Sequence, residues 1–375
     1  MKKVAVVGAG LSGAIVAHEL AKTGVLVDVF EKRNHIGGNC YTERDEATGI
    51  IEHKYGPHIF HTADEEVWDY VTSFVEMVPF TNRVKTTVGD SVYSMPINLH
   101  TINQFYGRSM SPIEAREFME AKRVKIEPSN FEEQALYFVG EEMYGAFFRG
   151  YTEKQWGVDP SKLPASILKR LPMRFNYDDN YFDHKYQGMP RNGYTELFEK
   201  LLDIDGISLY LNSNTKQFDR RYDHIFYTGP IDAWFDYKYG KLGYRSLDFV
   251  KEQHEGDYQG CAVMNYPDRE IPYTRITEHK HFSPWEECKK TIIYKEYSKA
   301  CDDNSEPFYP IRLEEDKRKL ALYASEVNAT EKITFLGRLA TYKYIDMDVT
   351  IRQALDVIKV ILKGGTPPKV GAPLL

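Results

Sequence analysis

Gly8, Gly10 and Gly13 are spaced G-x-G-x-x-G, and an acidic residue, Glu31, follows them at the end of a second apolar run. Residue types in this order suit one kind of chemistry, the binding of a nucleotide through its phosphates and ribose. Gly8 permits a tight turn, Gly10 lets backbone approach a pyrophosphate, and Gly13 allows a helix to pack closely on a strand. Glu31 can accept hydrogen bonds from a ribose.

The flanking residues supply the elements that such a site needs. Val4, Val6 and Val7 have strand character, Leu11, Ala14, Ile15, Ala17, Leu20 and Ala21 follow a helical period, and Val25 to Phe30 reads as a second strand. The result is a βαβ unit whose helix N-terminus offers free N–H groups and partial positive charge to an anion. The pair Gly37-Gly38, just beyond Glu31, adds a second place where backbone can lie against a ligand. Glu31-Lys32-Arg33 followed by Gly-Gly resembles FAD proteins of the glutathione-reductase-like class more than NAD dehydrogenases.

With 375 residues the chain can build two or three domains. Its net charge of −7 argues against nucleic acid or an anionic membrane as the main partner. No apolar run reaches membrane-spanning length. The start Met1-Lys2-Lys3-Val4 is read as structure rather than a signal, because its apolar run ends in the glycine turn. Cys40, Cys261, Cys288 and Cys301 show no C-x-x-C spacing and no clustered histidines, so no metal site is expected and the thiols are read as reduced, in a cytoplasmic protein. The 27 tyrosines suit either a site for a ring-bearing polar ligand or a tyrosine-rich core and dimer surface.

Nucleotide-fold signals recur along the chain. Tyr222 to Tyr227 is a strand running into Gly229-Pro230, and Lys332 to Leu336 is a strand ending at Gly337. A helix is expected from Met347, capped by Asp346 or Asp348, with Ile351, Leu355, Ile358 and Leu362 on one face. Between these signals, Thr62 with Glu65 reads as a capping box, Val84 to Met95 as a hairpin turning at Gly89-Asp90, and 100–149 as helical. Gln259–Asn265, Tyr273–Glu278 and Thr291–Tyr297 read as an antiparallel sheet. The expected class is α/β: a discontinuous Rossmann-like FAD-binding domain (1–78, 189–240 and 329–364), an inserted helical domain (98–170), an antiparallel β-sheet domain (79–97, 171–188 and 241–328) and a flexible tail (365–375).

Six segments carry a more specific likeness: Tyr55-Gly-Pro-His-Ile-Phe-His-Thr62, Phe147-Phe-Arg-Gly-Tyr-Thr-Glu-Lys-Gln-Trp156, Pro164-Ala-Ser-Ile-Leu-Lys-Arg170, Arg174 to Tyr181, Tyr273 to His279, and Tyr344-Ile-Asp346-Met-Asp348. Through them the chain resembles the bacterial UDP-galactopyranose mutases over nearly its whole length, to about residue 363. The resemblance implies interconversion of UDP-galactopyranose and UDP-galactofuranose, supplying galactofuranose for cell-surface polysaccharide. The flavin, in the form of reduced FAD, would act through N5 at the anomeric carbon with no net redox. It further implies a homodimer.

Carried over residue by residue, Arg170 and Arg275 would clamp the diphosphate and His58 would lie against the flavin ring, these three forming the catalytic set. Two guanidinium groups suit that task because paired, charge-assisted hydrogen bonds match a diphosphate whose negative charge grows as the sugar bond breaks. Tyr151, Tyr181, Tyr309 and Tyr344 match phosphate-binding tyrosines, Trp156 a tryptophan near the sugar, and Phe147 and Thr152 uridine contacts, with Asn82 and Asn265 as polar contacts to the sugar. The implied cofactor set is Gly8, Gly10, Ser12, Gly13, Glu31, Lys32, Gly38, Asn39, His58, Ile59, Arg338, Tyr344, Asp346 and Met347. Three other readings remain open: a mutase for UDP-N-acetylgalactosamine, an oxidoreductase of the amine-oxidase kind, and a non-catalytic nucleotide-sugar-binding module. The paired arginines argue against an amine substrate, which has no diphosphate to offer them.

Overall fold

The computed structural model describes residues 1–170, 173–213, 222–303, 305–330 and 332–367, the side chains of Lys169 and Arg170 excepted. The expected βαβ start is present: strand Lys3–Val7, helix Leu11–Ala21 and strand Leu26–Phe30. These strands sit in a five-stranded parallel sheet ordered Ile207–Tyr210, Leu26–Phe30, Lys3–Val7, His224–Tyr227 and Ile333–Phe335. Central strands of a parallel sheet are covered on both faces, which is why Val4, Ala5, Val6, Val27 and Val29 form continuous apolar runs and are fully buried. Helix Met347–Leu362 packs beside helix Leu11–Ala21 on one face. Arg352 fixes this last helix by donating to both carboxylate oxygens of Asp64, at 2.8 Å each.

Asp64 also corrects the expected capping box. It is the N-cap of helix Glu65–Thr72 and accepts from the Val67 N–H at 3.2 Å. Thr62 instead accepts from the Asp64 N–H, one step outside the helix. The Ser111–Glu114 box with Pro112 opens helix Pro112–Lys122, within a helical insert that also holds Leu99–Tyr106, Phe131–Met143 and Gly150–Trp156.

The second large sheet has seven strands, ordered Tyr309–Pro310, Tyr244–Glu255, Lys290–Ala300, Arg275–Glu278, Val263–Asn265, Val84–Val88 and Ser91–Met95. It is mixed rather than antiparallel throughout, because Val263–Asn265 runs parallel to Val84–Val88. That pairing joins two hairpins that are distant in sequence, and no local turn sets its direction. The span 241–328 is also not all sheet. It ends in helix Glu314–Asn328, whose Tyr323, Ala324 and Val327 pack with Tyr227 and Phe335 of the parallel sheet. Of the expected tail, residues 368–375 lie outside the described residues. No helix among the described residues is long and apolar enough to cross a membrane.

Two buried histidines lie where the Thr42–Arg44/Ile51–His53 hairpin meets the mixed sheet. The His53 N–H donates to His279 Nδ1 at 3.1 Å, so the His279 proton sits on Nε2, which faces Thr277 Oγ1 at 3.4 Å. Burial, then Lys251 and Lys54, push His279 down to about 3, and burial pushes His53 well below its usual value. The unfolded chain protonates these rings near pH 6.5 while the folded chain does not. Their contribution is therefore complete above pH 6.5 and is lost as pH falls, for His279 down to about 3, at up to about 1.4 kcal/mol per pH unit for each ring. Denaturant midpoints from pH 7.5 to 5 should fall accordingly, and His279→Gln should flatten the slope. An unchanged slope in that variant would remove His279 from the account.

Candidate active site

A cavity of about 1820 Å³ runs between the parallel and mixed sheets. Its first end is the glycine turn. Gly8 has a φ of +102°, and a Cβ there would lie 2.1 Å from Thr228 Oγ1. A Cβ on Gly13 would lie 1.9 Å from the Gly8 carbonyl oxygen, so the helix can approach the strand only without one. Gly10 and Gly38 face each other as bare backbone, and a Cβ on Gly10 would be 3.6 Å from Gly38 Cα. Helix Leu11–Ala21 has no side-chain cap, so its first N–H groups, near Leu11 and Ser12, are left to a ligand.

Glu31 is buried here. Its two oxygens accept from the N–H groups of Ala9 and Arg33 at 2.8 and 2.9 Å. The carboxylate thus shapes the turn, while each oxygen keeps lone-pair capacity toward the cavity. Lys32 and Arg33 both pair with Glu306, and Arg33 donates to Asn39 Oδ1 at 2.9 Å.

Midway along, His58, Ile59, Arg338, Asp346 and Met347 line the cavity. His58 Nδ1 lies 3.0 Å from the Gly56 carbonyl oxygen, which can only accept, so Nδ1 carries the proton and Nε2 is an acceptor. Burial, with Arg338 next, lowers His58 to about 4, so the ring is neutral at pH 7. Asp346 occupies the N-cap of helix Met347–Leu362 without a side-chain capping bond, and this second helix N-terminus also opens on the cavity.

The far end is built around Arg275, the first residue of strand Arg275–Glu278. Its Nε lies 3.3 Å from Glu296 Oε1, close enough to pair but outside hydrogen-bond geometry. Its terminal nitrogen donates to Tyr151 Oη at 2.5 Å. Burial opposes the charge, but Glu296 and the phenols of Tyr151, Tyr309 and Tyr181 outweigh it and hold Arg275 above its ordinary value. Burial pushes the Tyr181 phenol up to about 12 and raises Tyr151, so both are neutral donors at pH 7. The Tyr309 and Tyr344 rings sit 5.6 Å apart, with the Arg338 guanidinium 5.7 Å from the Tyr309 ring centre. Asn82, Trp156 and Asn265 complete this wall, and the Oδ1 atoms of both asparagines are buried without a partner.

The cavity therefore gathers Gly8, Gly10, Ser12, Glu31, Lys32, Gly38, Asn39, His58, Ile59, Asn82, Tyr151, Trp156, Tyr181, Asn265, Arg275, Tyr309, Arg338, Tyr344, Asp346 and Met347. Gly13, Phe147 and Thr152 are not on its lining. Phe147 is buried against Tyr93 and Phe105, and Thr152 is buried in its helix. The Arg170 backbone ends the short helix Ala165–Arg170, and its side chain lies outside the described residues. Sequence reasoning missed Glu296 and the His61–His184 pair, whose Nδ1 atoms are 2.8 Å apart on the lining. Glu296 had a signal: it is in phase with buried Ile292 and Tyr294 along one strand, and a buried carboxylate requires a partner. His184 had none, since only folding brings it to His61.

A family profile described as UDP-galactopyranose mutase matches residues 146–344, and one described as NAD(P)-binding Rossmann-like domain matches residues 6–74. The chain is 56% identical over 357 residues to a protein of Klebsiella pneumoniae named "Probable UDP-galactopyranose mutase", covering 94% of this chain and 93% of that one. It is 49% identical over 373 residues to the dTDP-fucopyranose mutase of Escherichia coli, covering 97% and 99%. In fold it is similar to a crystal structure of reduced UDP-galactopyranose mutase, with a TM-score of 0.79, 16% identity and coverage of 100% and 96%.

The glycine turn can be tested alone. Gly13→Ala places a methyl against backbone that cannot yield, so it should cost about 1–3 kcal/mol of stability and prevent retention of a dinucleotide. Thermal melting and the absorbance of bound cofactor after gel filtration would check this. Full cofactor retention at unchanged Tm would refute it.

Proposed function

The chain belongs to the UDP-galactopyranose mutase family, and from that premise we propose that it interconverts UDP-galactopyranose and UDP-galactofuranose by ring contraction, with reduced FAD and no net redox. The observation that carries this reading is Arg275, half-buried beside buried Glu296 and bonded to Tyr151, on the same cavity wall as Tyr181, Tyr309 and Tyr344. A half-buried guanidinium among neutral phenol donors is suited to a diphosphate, whose anionic oxygens accept hydrogen bonds from both.

The other end of the cavity fits a flavin dinucleotide. Gly10 and Gly38 leave a cradle that a Cβ would narrow, two helix N-termini open on it, and Arg338 supplies a cation. Gly8, Gly10, Ser12, Gly38 and Asn39 would hold the pyrophosphate and ribose, with Arg338 on the phosphates and the 346–347 turn on the ring. When bound and reduced, the flavin supplies the nucleophile for the anomeric carbon. The chain's own part is positioning and electrostatics. Arg275, with Arg170 as its partner in the clamp, stabilises the charge that grows on the leaving diphosphate. The neutral phenols orient the diphosphate oxygens. His58 presents an acceptor Nε2 and, being neutral, adds no positive charge to compete with the arginines. The N-terminus of helix Met347–Leu362 favours an anionic ring edge. Cytoplasmic location and a homodimer belong to this reading.

The likeness to a dTDP-fucopyranose mutase supports a second reading within the same chemistry. A fucosyl substrate lacks the sugar's C6 hydroxyl, and a dTDP carrier differs from UDP at the base and ribose. Incubating dithionite-reduced protein with UDP-galactofuranose and, separately, with a dTDP-fucose substrate, then separating products by HPLC, decides between them. Turnover of the UDP sugar is expected. Turnover of the dTDP sugar alone would replace the reading, and equal inactivity of oxidised and reduced protein on both would overturn it. Arg275→Ala and Arg170→Ala should each lower kcat by about 10² to 10³, or roughly 2–4 kcal/mol, while the flavin stays bound. Wild-type kcat in either variant would remove that residue from the mechanism.

A further inference from the structure

Between Asn265 and Arg275, direct partners in adjacent strands, the chain makes a loop whose carbonyl groups turn inward. The neck of this loop is closed by the Tyr266 N–H donating to the Thr274 carbonyl at 2.9 Å. Its interior is filled by one side chain from another part of the fold. Lys154 Nζ lies 2.5, 2.6, 2.8 and 3.0 Å from the carbonyl oxygens of Tyr266, Asp268, Ile271 and Tyr273, which share its three N–H donors. Four converging carbonyl dipoles repel one another, and their close spacing is stable only around a cation. The ammonium therefore holds the loop in shape as well as in place.

Lys154 sits on helix Gly150–Trp156, one turn from Tyr151, the residue bonded to Arg275. The helix is docked by further contacts on both sides. Gly150 lies against the loop, where a Cβ would be 2.2 Å from the Pro267 carbonyl oxygen. Its C-terminal carbonyls, those of Lys154 and Gln155, accept from Arg245 at 3.2 and 3.0 Å. On the rim, Glu153 pairs with Arg269. Lys154 thus joins two elements that carry opposite halves of the proposed grip: the helix with Tyr151 and Trp156, and the loop neck with Asn265 and Arg275.

We infer that Lys154 is a positioning residue for diphosphate binding, its ammonium acting as the key that sets the distance between Tyr151 and Arg275. The inference rests on the proposed assignment of Arg275 and Tyr151 to the diphosphate. Lys154 faces backbone and is not part of the cavity lining. Its loss should weaken UDP binding and raise KM more than it lowers kcat, while leaving the flavin in place.

The test measures UDP affinity by perturbation of the flavin spectrum in the holoenzyme, together with KM, kcat and flavin content. Lys154→Gln, neutral and of similar length, should weaken UDP binding about tenfold. Lys154→Ala should be weakened and then restored by propylammonium, which supplies the missing atoms and charge. Propanol, which fills the same space without charge, should not restore it. Wild-type affinity in Lys154→Gln, or equal rescue by propanol and propylammonium, would overturn the inference. Arg275→Ala is the control: if it also binds UDP normally, the diphosphate assignment has failed rather than the role of Lys154.

Discussion

The cavity depends on a half-buried positive charge that must be kept ionised and in place. Arg275 keeps 27% of its side chain exposed along the cavity, and burial of the rest by itself disfavours the charge. Glu296 offsets that cost from the next strand, but through Nε rather than the outer nitrogens, and without a well-formed hydrogen bond. A bidentate Arg–Glu pair would be more stable and would leave the guanidinium less able to hold anything else. The strand register Arg275↔Glu296 determines this side-on approach. The long strand Lys290–Ala300 is thereby both the sheet's spine and the counter-ion's carrier.

The chain's first forty residues disclosed their structure readily because the constraints there are local. A positive φ at Gly8 and a backbone contact at Gly13 exclude side chains, and glycine is the visible trace of that exclusion. Helices were legible for the same reason, as in Met347–Leu362, where Ile351, Leu355 and Ile358 recur on one face over successive turns. The mixed sheet was less legible. Whether Val263–Asn265 runs parallel or antiparallel to Val84–Val88 depends on a chain reversal elsewhere, and the alternation of side chains is the same in either case. Helix Glu314–Asn328 was missed because its polar face dominates its composition and only Tyr323, Ala324 and Val327 mark the buried side.

The site divides along the same line. Residues inside a recognisable segment, such as His58, Tyr151 and Arg275, could be named in advance, and they meet on one cavity. Phe147 and Thr152 come from an equally recognisable segment, yet Phe147 packs against Tyr93 and Phe105, Thr152 is buried, and neither lies on the cavity lining. Resemblance fixes the order of residues along a segment, whereas the direction of each side chain follows from how that segment docks. In this case the docking is governed by Gly150, Lys154 and Arg245, none of which carries a ligand-binding signature.

The two ends of the cavity attract anions by different physics. At the glycine turn the attraction comes from helix N-termini and bare backbone N–H groups, partial charges fixed by secondary structure. At the far wall it comes from a full charge on Arg275 and from neutral phenols whose protons are retained well above pH 7. The first arrangement suits a resident group, because helix dipoles and backbone cannot move aside. The second suits a ligand that arrives and leaves, because side chains can adjust and the buried Oδ1 atoms of Asn82 and Asn265 can accept hydrogen bonds from a polar ligand. A fold of the dinucleotide-binding class accounts for the first end alone. The distinct chemistry of this chain follows from having placed the second end within reach of the first, across a single cavity, by pairing two hairpins that are remote in sequence.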